Sequence, residues 1–301
     1  MKQRTKICFA LMLMSLALFG LTAQVSAKAS FKTFCLYNTI SRFSYKADMN
    51  GDGKLDTLAF TMGKFRTDST QNVLIKMNGT RVLLTNVPYS YGYDIQYIAL
   101  SNKAQFLYII GRGDSNMPGL HAVYRYDASR KKLVKALDLS TYLGTSGLVT
   151  KVTTKTMSVS NGCTLMPVGR VSWNYIFKYN TASGKFTLSS TSATVKSAAM
   201  INRDDGYDNY FKKSQFVAAK TFFTYTTVSM KKTAYTATVN DVLQMTKIRL
   251  YKKGLYIQFK NQEGKTGWIH AYQKYNTGNQ SDIHSGIFYG VNSRLAGGFY
   301  G

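Results

Sequence analysis

Short runs rich in Tyr, Phe, Thr and Val recur along this chain, separated by Gly, Asn, Asp and Ser, while helical periodicity is scarce. β-Branched and aromatic side chains suit a pleated, half-buried surface, and the small polar residues between them supply turns. The chain therefore reads as all-β. Strands are expected at Thr57–Thr61, Asn72–Met77, Arg81–Thr85, Ile95–Leu100, Phe106–Gly111, His121–Tyr126, Leu133–Leu137, Tyr175–Tyr179 and Lys185–Ser189, with one short helix near Leu139–Leu143.

An internal echo bears on architecture. The segment Ala122–Leu133 is an aromatic alternating run, an Asp-started turn and a return run headed by Lys, and Tyr175–Phe186 repeats that plan from an Asn-started turn. Two hairpins of one kind, about a propeller blade apart, point to an irregular or incomplete propeller-like domain or a twisted meander. The composition turns polar and small at Ser189–Thr194, and strands resume near Thr221. This sets expected divisions at 1–27 for a leader, 28–200 for the first β-domain, 201–219 for a linker and 220–301 for a second, barrel-like domain with an aromatic, Gly-rich C-terminal extension.

The leader is a signal-peptide pattern. Lys2, Arg4 and Lys6 precede an apolar run from Ile7 to Leu21, and Val25-Ser26-Ala27 places small residues at a cleavage site. The run is shorter than the roughly 20 apolar residues of a membrane span, so a secreted or cell-surface protein without a later transmembrane segment is expected. The formal net charge is +25. In an exported chain that excess suggests the anionic polymers of a cell wall, peptidoglycan or teichoic acid, or of a membrane surface rather than nucleic acid. Two cysteines follow the leader, Cys35 and Cys163. Export permits a disulfide, and two small buried hydrophobes are the equal alternative.

The most specific motif is the loop Asp48-Met49-Asn50-Gly51-Asp52-Gly53-Lys54-Leu55-Asp56. Oxygen-bearing side chains alternate around two glycines, the arrangement by which a chain wraps a hard cation such as calcium. An EF-hand would need Glu at the twelfth position, where Ala59 stands. The loop and the following Thr57-Leu-Ala-Phe60 resemble the calcium loops of FG-GAP/VCBS-type repeats. That resemblance implies side-chain ligands Asp48, Asn50, Asp52 and Asp56, the carbonyl of Lys54, and a structural calcium ion. A plain Asx-rich turn is the alternative reading.

Residues 220–272 resemble the bacterial SH3-type domains of exported Gram-positive proteins, chiefly through Gly264-Lys-Thr-Gly-Trp-Ile269 and the preceding Tyr251–Glu263. The resemblance implies a small SH3-like barrel that binds wall material. Tyr256 and Trp268 are its candidate aromatic contacts and Lys252, Lys253 and Lys265 its candidate anion contacts, with Lys247, Arg249 and Lys260 nearby. A core role for Trp268 is an open alternative, and Tyr256 and Phe259 have opposite strand parity.

For catalysis the inventory is thin. Glu263 is the chain's one glutamate, His121, His270 and His284 are scattered, and outside the cation loop no carboxylate pair suggests a glycosidase. The sequence thus reads as an exported binding protein carrying structural calcium and binding a wall or other anionic polymer. An adhesin-like protein-binding module and an accessory of a wall hydrolase are the alternatives.

Overall fold

The structure is a computed structural model that describes residues 29–37, 40–66, 70–88, 90–113, 120–142, 147–165, 167–199, 206–252, 254–273 and 286–291. The leader, Lys253, Asp204, Asp205 and most of the C-terminal extension lie outside them. The all-β expectation holds: helical structure among the described residues is limited to a 3₁₀ turn, Leu139–Thr141, and one helical turn, α1 (Asp208–Phe211). The 3₁₀ turn sits where a short helix was expected. Asp138 caps it by accepting from the Ser140 amide at 3.1 Å.

The strands build three antiparallel sheets. The first is a meander of β2 (Arg42–Ala47), β3 (Asp56–Met62), β4 (Thr70–Met77) and β5 (Thr80–Pro88). The second is the meander β6 (Ser90–Ser101), β7 (Ala104–Gly113), β8 (His121–Asp127) and β9 (Lys132–Asp138), with the N-terminal β1 (Ser30–Leu36) added beside β6.

The third sheet takes every later strand: β10 (Val149–Val152), β11 (Thr156–Leu165), β12 (Gly169–Asn180), β13 (Lys185–Leu188), β14 (Ser192–Ala199), β15 (Gln215–Val217), β16 (Phe222–Tyr225), β17 (Thr233–Ala237), β18 (Val242–Tyr251), β19 (Gly254–Lys260) and β20 (Thr266–Gln273). Strand β14 pairs with β12 on one side and β18 on the other, so the sheet runs unbroken from the 149–199 region into the 215–273 region. Part of the stretch expected to be a linker, 206–219, holds α1 and β15, and Phe211 and Phe216 are core residues.

Side-chain parity explains the layering. In β7, Phe106, Tyr108 and Ile110 enter the core shared with the third sheet, whereas Leu107 and Ile109 enter the core shared with the first. Successive side chains of a strand point to opposite faces, so the second sheet is the middle layer, buried on both sides. Gln96 of β6 docks the third sheet against it. Its Oε1 accepts from the Val149 amide at 2.7 Å, and its Nε2 donates to the Val149 carbonyl at 3.2 Å and to Thr33 Oγ1 at 3.0 Å. A buried amide with both ends satisfied fixes register between layers at little net cost.

Two expectations are corrected here. No sheet closes or curls into a ring among the described residues, so the chain is neither a propeller nor an SH3 barrel. The second domain's strands extend an existing sheet instead of closing on themselves, because β14 covers the edge of β18 that a separate barrel would have to close. The echoed hairpins are real. They are β8–β9, with Tyr126 opposite Leu133, and β12–β13, with Tyr179 opposite Phe186. They pack into different cores: Tyr126 and Leu133 join the core shared with the first sheet, whereas Tyr179 and Phe186 join the one shared with the third, each ring meeting Phe106 with centroids 4.8 Å away.

Candidate functional site

The Asp48–Asp56 loop joins β2 to β3, and its oxygens face its own backbone. Asp48 Oδ1 accepts from the amides of Gly51 (2.8 Å) and Asp52 (3.0 Å), and its Oδ2 from Gly53 (3.0 Å). Asn50 Oδ1 accepts from the Asp52 amide at 2.9 Å, while Asn50 Nδ2 donates to Asp52 Oδ2 at 3.1 Å. Asp52 Oδ1 takes the Lys54 amide at 2.8 Å. Asp56, only 4 % exposed, accepts from the amides of Met49 (3.0 Å) and Asn50 (3.3 Å) and from Asn78 Nδ2 (2.7 Å).

These contacts make an Asx-rich turn in which loop amides supply the positive partners of the carboxylates. Among the described residues no group of three or more His, Cys, Asp or Glu side chains is placed to hold a metal ion. The expected calcium site at Asp48, Asn50, Asp52, Lys54 and Asp56 is therefore corrected. The spacing that suggested ligands serves to satisfy amides.

Of the C-terminal candidates, Tyr256, Trp268, Lys247, Arg249 and Lys260 fall on one face of the third sheet. Leu255, Ile257 and Phe259 of β19 and Ile269 and Ala271 of β20 point into the core, which leaves Tyr256, Gln258, Lys260, Trp268 and His270 on the outward face. By the same parity β18 presents Lys247, Arg249 and Tyr251, β14 presents Ser192, Thr194 and Lys196, and β12 presents Arg170, Asn174 and Lys178. Two rows cross the strands in register: Thr194, Lys247, Gln258, Trp268 and Ser192, Arg249, Tyr256, His270.

Within these rows the candidates differ. Tyr256 is half-buried and lies between Tyr251 and His270, with centroids 6.0 and 4.8 Å away. Burial raises its phenol pKa, and the Tyr251 phenol adds to the rise. Trp268 is 7 % exposed, which leaves little ring surface for a ligand. Lys252 is exposed in the β18–β19 turn, with its ammonium 5.5 Å from the Tyr251 ring centroid. Lys265 pairs with Glu263 at 2.8 Å in the β19–β20 turn, so its charge is locally offset. Lys253 lies outside the described residues.

Two residues of this face have an unmet need: the Arg249 Nε donor and the Asn174 Oδ1 acceptor are each buried without a hydrogen-bond partner. The cations Arg170, Lys178 and Lys196 were not among the sequence candidates, yet a signal for them existed. No Asp or Glu occurs between Asp138 and Asp204, and no strand of the third sheet contains an acidic residue.

A second polar cluster ties the middle sheet together. Asp94 of β6 is buried; its Oδ2 accepts from Arg112 Nε at 2.7 Å and lies 2.7 Å from Nη2, and its Oδ1 accepts from the Cys35 thiol at 3.1 Å. The Arg112 guanidinium also lies 5.5 Å from the Tyr37 ring centroid. The cluster joins β1, β6 and β7. Cys35 and Cys163 are not joined by a disulfide, which answers the disulfide question.

Neither thiol is set up as a nucleophile, since the thiolate is the reactive form. Burial raises the Cys35 pKa and the bond to Asp94 raises it further, while burial alone pushes Cys163 up to about 12. A raised pKa leaves the thiol protonated at pH 8. Iodoacetamide at that pH is expected to alkylate Cys163 of the native protein far more slowly than after urea unfolding, as read by intact mass; equal rates would show that Cys163 is not enclosed.

With the geometry in hand, comparisons with known proteins add no relative: no protein-family model matches the chain, nor does any curated protein or solved structure. The likenesses to FG-GAP/VCBS-type repeats and to SH3-type wall-binding domains are corrected accordingly, as motif-sized similarities without a family behind them.

Proposed function

We propose that this chain is an exported protein that binds an anionic polymer across the outward face of its third sheet. The observation that carries the reading is the charge of that sheet: Lys151, Arg170, Lys178, Lys185, Lys196, Lys247, Arg249 and Lys260 lie on its strands, and no carboxylate does. A surface of one sign attracts a polyanion and releases the polymer's counterions. Arg249 adds a donor without a protein acceptor beside the half-buried Tyr256. Export rests on the leader pattern of residues 1–27, and no helix among the described residues is long and apolar enough to cross a membrane.

The test uses the 28–301 protein and long-chain inorganic polyphosphate, with affinity measured as a function of salt. The triple variant Lys196→Gln/Lys247→Gln/Arg249→Gln is expected to flatten the slope of log K against log salt by roughly two to three units, on the polyelectrolyte rule of nearly one per lost contact. An unchanged slope, or no binding near physiological salt, would overturn the reading. A matching result with polyglutamate in place of polyphosphate would widen the ligand class to polycarboxylates.

A further inference from the structure

The Asx loop leaves one role unassigned, since its tip forms a wall. Asn50 and Gly51 face the β6–β7 turn so closely that a Cβ on Gly51 would stand 3.2 Å from the Asn102 carbonyl oxygen. Between them lies a cleft that is also lined by Lys103, Arg125, Tyr126 and Tyr179. It is assembled from all three sheets. Tyr179 belongs to the inward row of β12 with Phe177, so the cleft is distinct from the outward basic face.

We infer that this cleft is a binding site for a small tetrahedral oxyanion of the phosphate class, either free phosphate or the terminal group of a phosphate monoester. Two lining residues are cations and none is acidic. The cleft is partly open and has a volume of about 90 Å³. That exceeds what a single water needs and falls well short of the ~300 Å³ at which pockets for drug-sized organic ligands begin.

Arg125 is the central donor. Its present partners are long: Nη1 donates to the Tyr126 carbonyl at 3.3 Å, and Nη2 stands 3.7 Å from Asp127 Oδ2. The other Asp127 oxygen, Oδ1, already accepts from the amides of Ser129 and Arg130 and from the Ser129 hydroxyl. A guanidinium holds five N–H donors in a planar fork suited to two oxygens of one anion. Gly184, at φ +64°, gives that fork its place, because a Cβ there would lie 2.6 Å from Arg125 Nε. Lys103 is exposed on the opposite turn and supplies a second charge, and Tyr126 and Tyr179 complete the lining.

The experiment is calorimetric titration of the 28–301 protein with orthophosphate and, separately, with methyl phosphate, against chloride at equal ionic strength. Saturable binding at one site is expected, weakened about tenfold or more in Arg125→Gln, the loss of a charge-assisted contact. Lys103→Gln, on an exposed turn, is expected to weaken it as well, and decides the matter if Arg125→Gln does not fold. Binding of orthophosphate alone would assign the site to the free ion, and binding of both would assign it to the terminal phosphoryl group. No saturable heat above the chloride control, or full affinity in the variants, would overturn the inference. The outward-face triple variant is expected to titrate like the unaltered protein, so failure here is separable from failure of the polymer reading.

Discussion

Phe106→Ala is expected to destabilise the protein by about 4 kcal/mol, within the span for a fully buried phenylalanine truncated to alanine. Phe106 has no exposed surface, and its ring touches Tyr179 and Phe186 across the layer boundary. The loss combines transfer energy, an unfilled cavity and two edge-on ring contacts. Urea unfolding should be followed by far-ultraviolet dichroism and by tryptophan fluorescence. Both tryptophans, Trp173 and Trp268, belong to the third sheet, while Phe106 belongs to the second. Because Phe106 and Trp173 share one core, both signals are expected to move to lower urea together. A shift under about 1 kcal/mol would mean that the middle sheet does not pack as described. Divergent transitions would mean that the layers unfold separately.

Asp56→Ala should cost about 3 kcal/mol, because a buried carboxylate leaves two amides and the Asn78 side chain without their acceptor. Asp56→Asn should cost nearly as much. One amide oxygen can still accept, but the new NH₂ must point either at Asn78 Nδ2 or at the Met49 and Asn50 amides, all of them donors. Asp48→Ala, at the more exposed end of the loop, is expected to cost about 1 kcal/mol, the usual value for a capping side chain. Thermal melts with and without a chelator separate this account from a metal-held loop. The unaltered protein should melt at the same temperature in both, and a fall in the chelator would restore the cation reading that the geometry removed.

The loop marks where sequence reasoning reaches its limit. Alternate oxygen-bearing residues around Gly51 and Gly53 were plain to read, and so was the turn they make. Which way the amides point is a property of the folded backbone. Asp48 collects three of them, and that direction decides between a metal cage and a self-satisfied turn. Trp268 shows the same limit, since its place in a tight hairpin was legible while its burial was not. Arg125 stood within the echoed hairpin, but nothing local brings it beside Lys103, Asn50 and Tyr179, residues drawn from all three sheets.

By itself the sequence determined the all-β class, most strands of the two meanders, the paired hairpins and the strong positive charge. These follow from composition and short-range alternation, which act within a strand or across one turn. Tertiary structure alone decided that β1 joins β6 about sixty residues away, that β14 welds β12 to β18 into one open sheet, and that Phe106–Ile110 is buried on both faces. A strand's edge carries the same amide and carbonyl groups whatever its side chains. Its partner is therefore chosen by which faces can be buried together, a condition set by the whole chain at once.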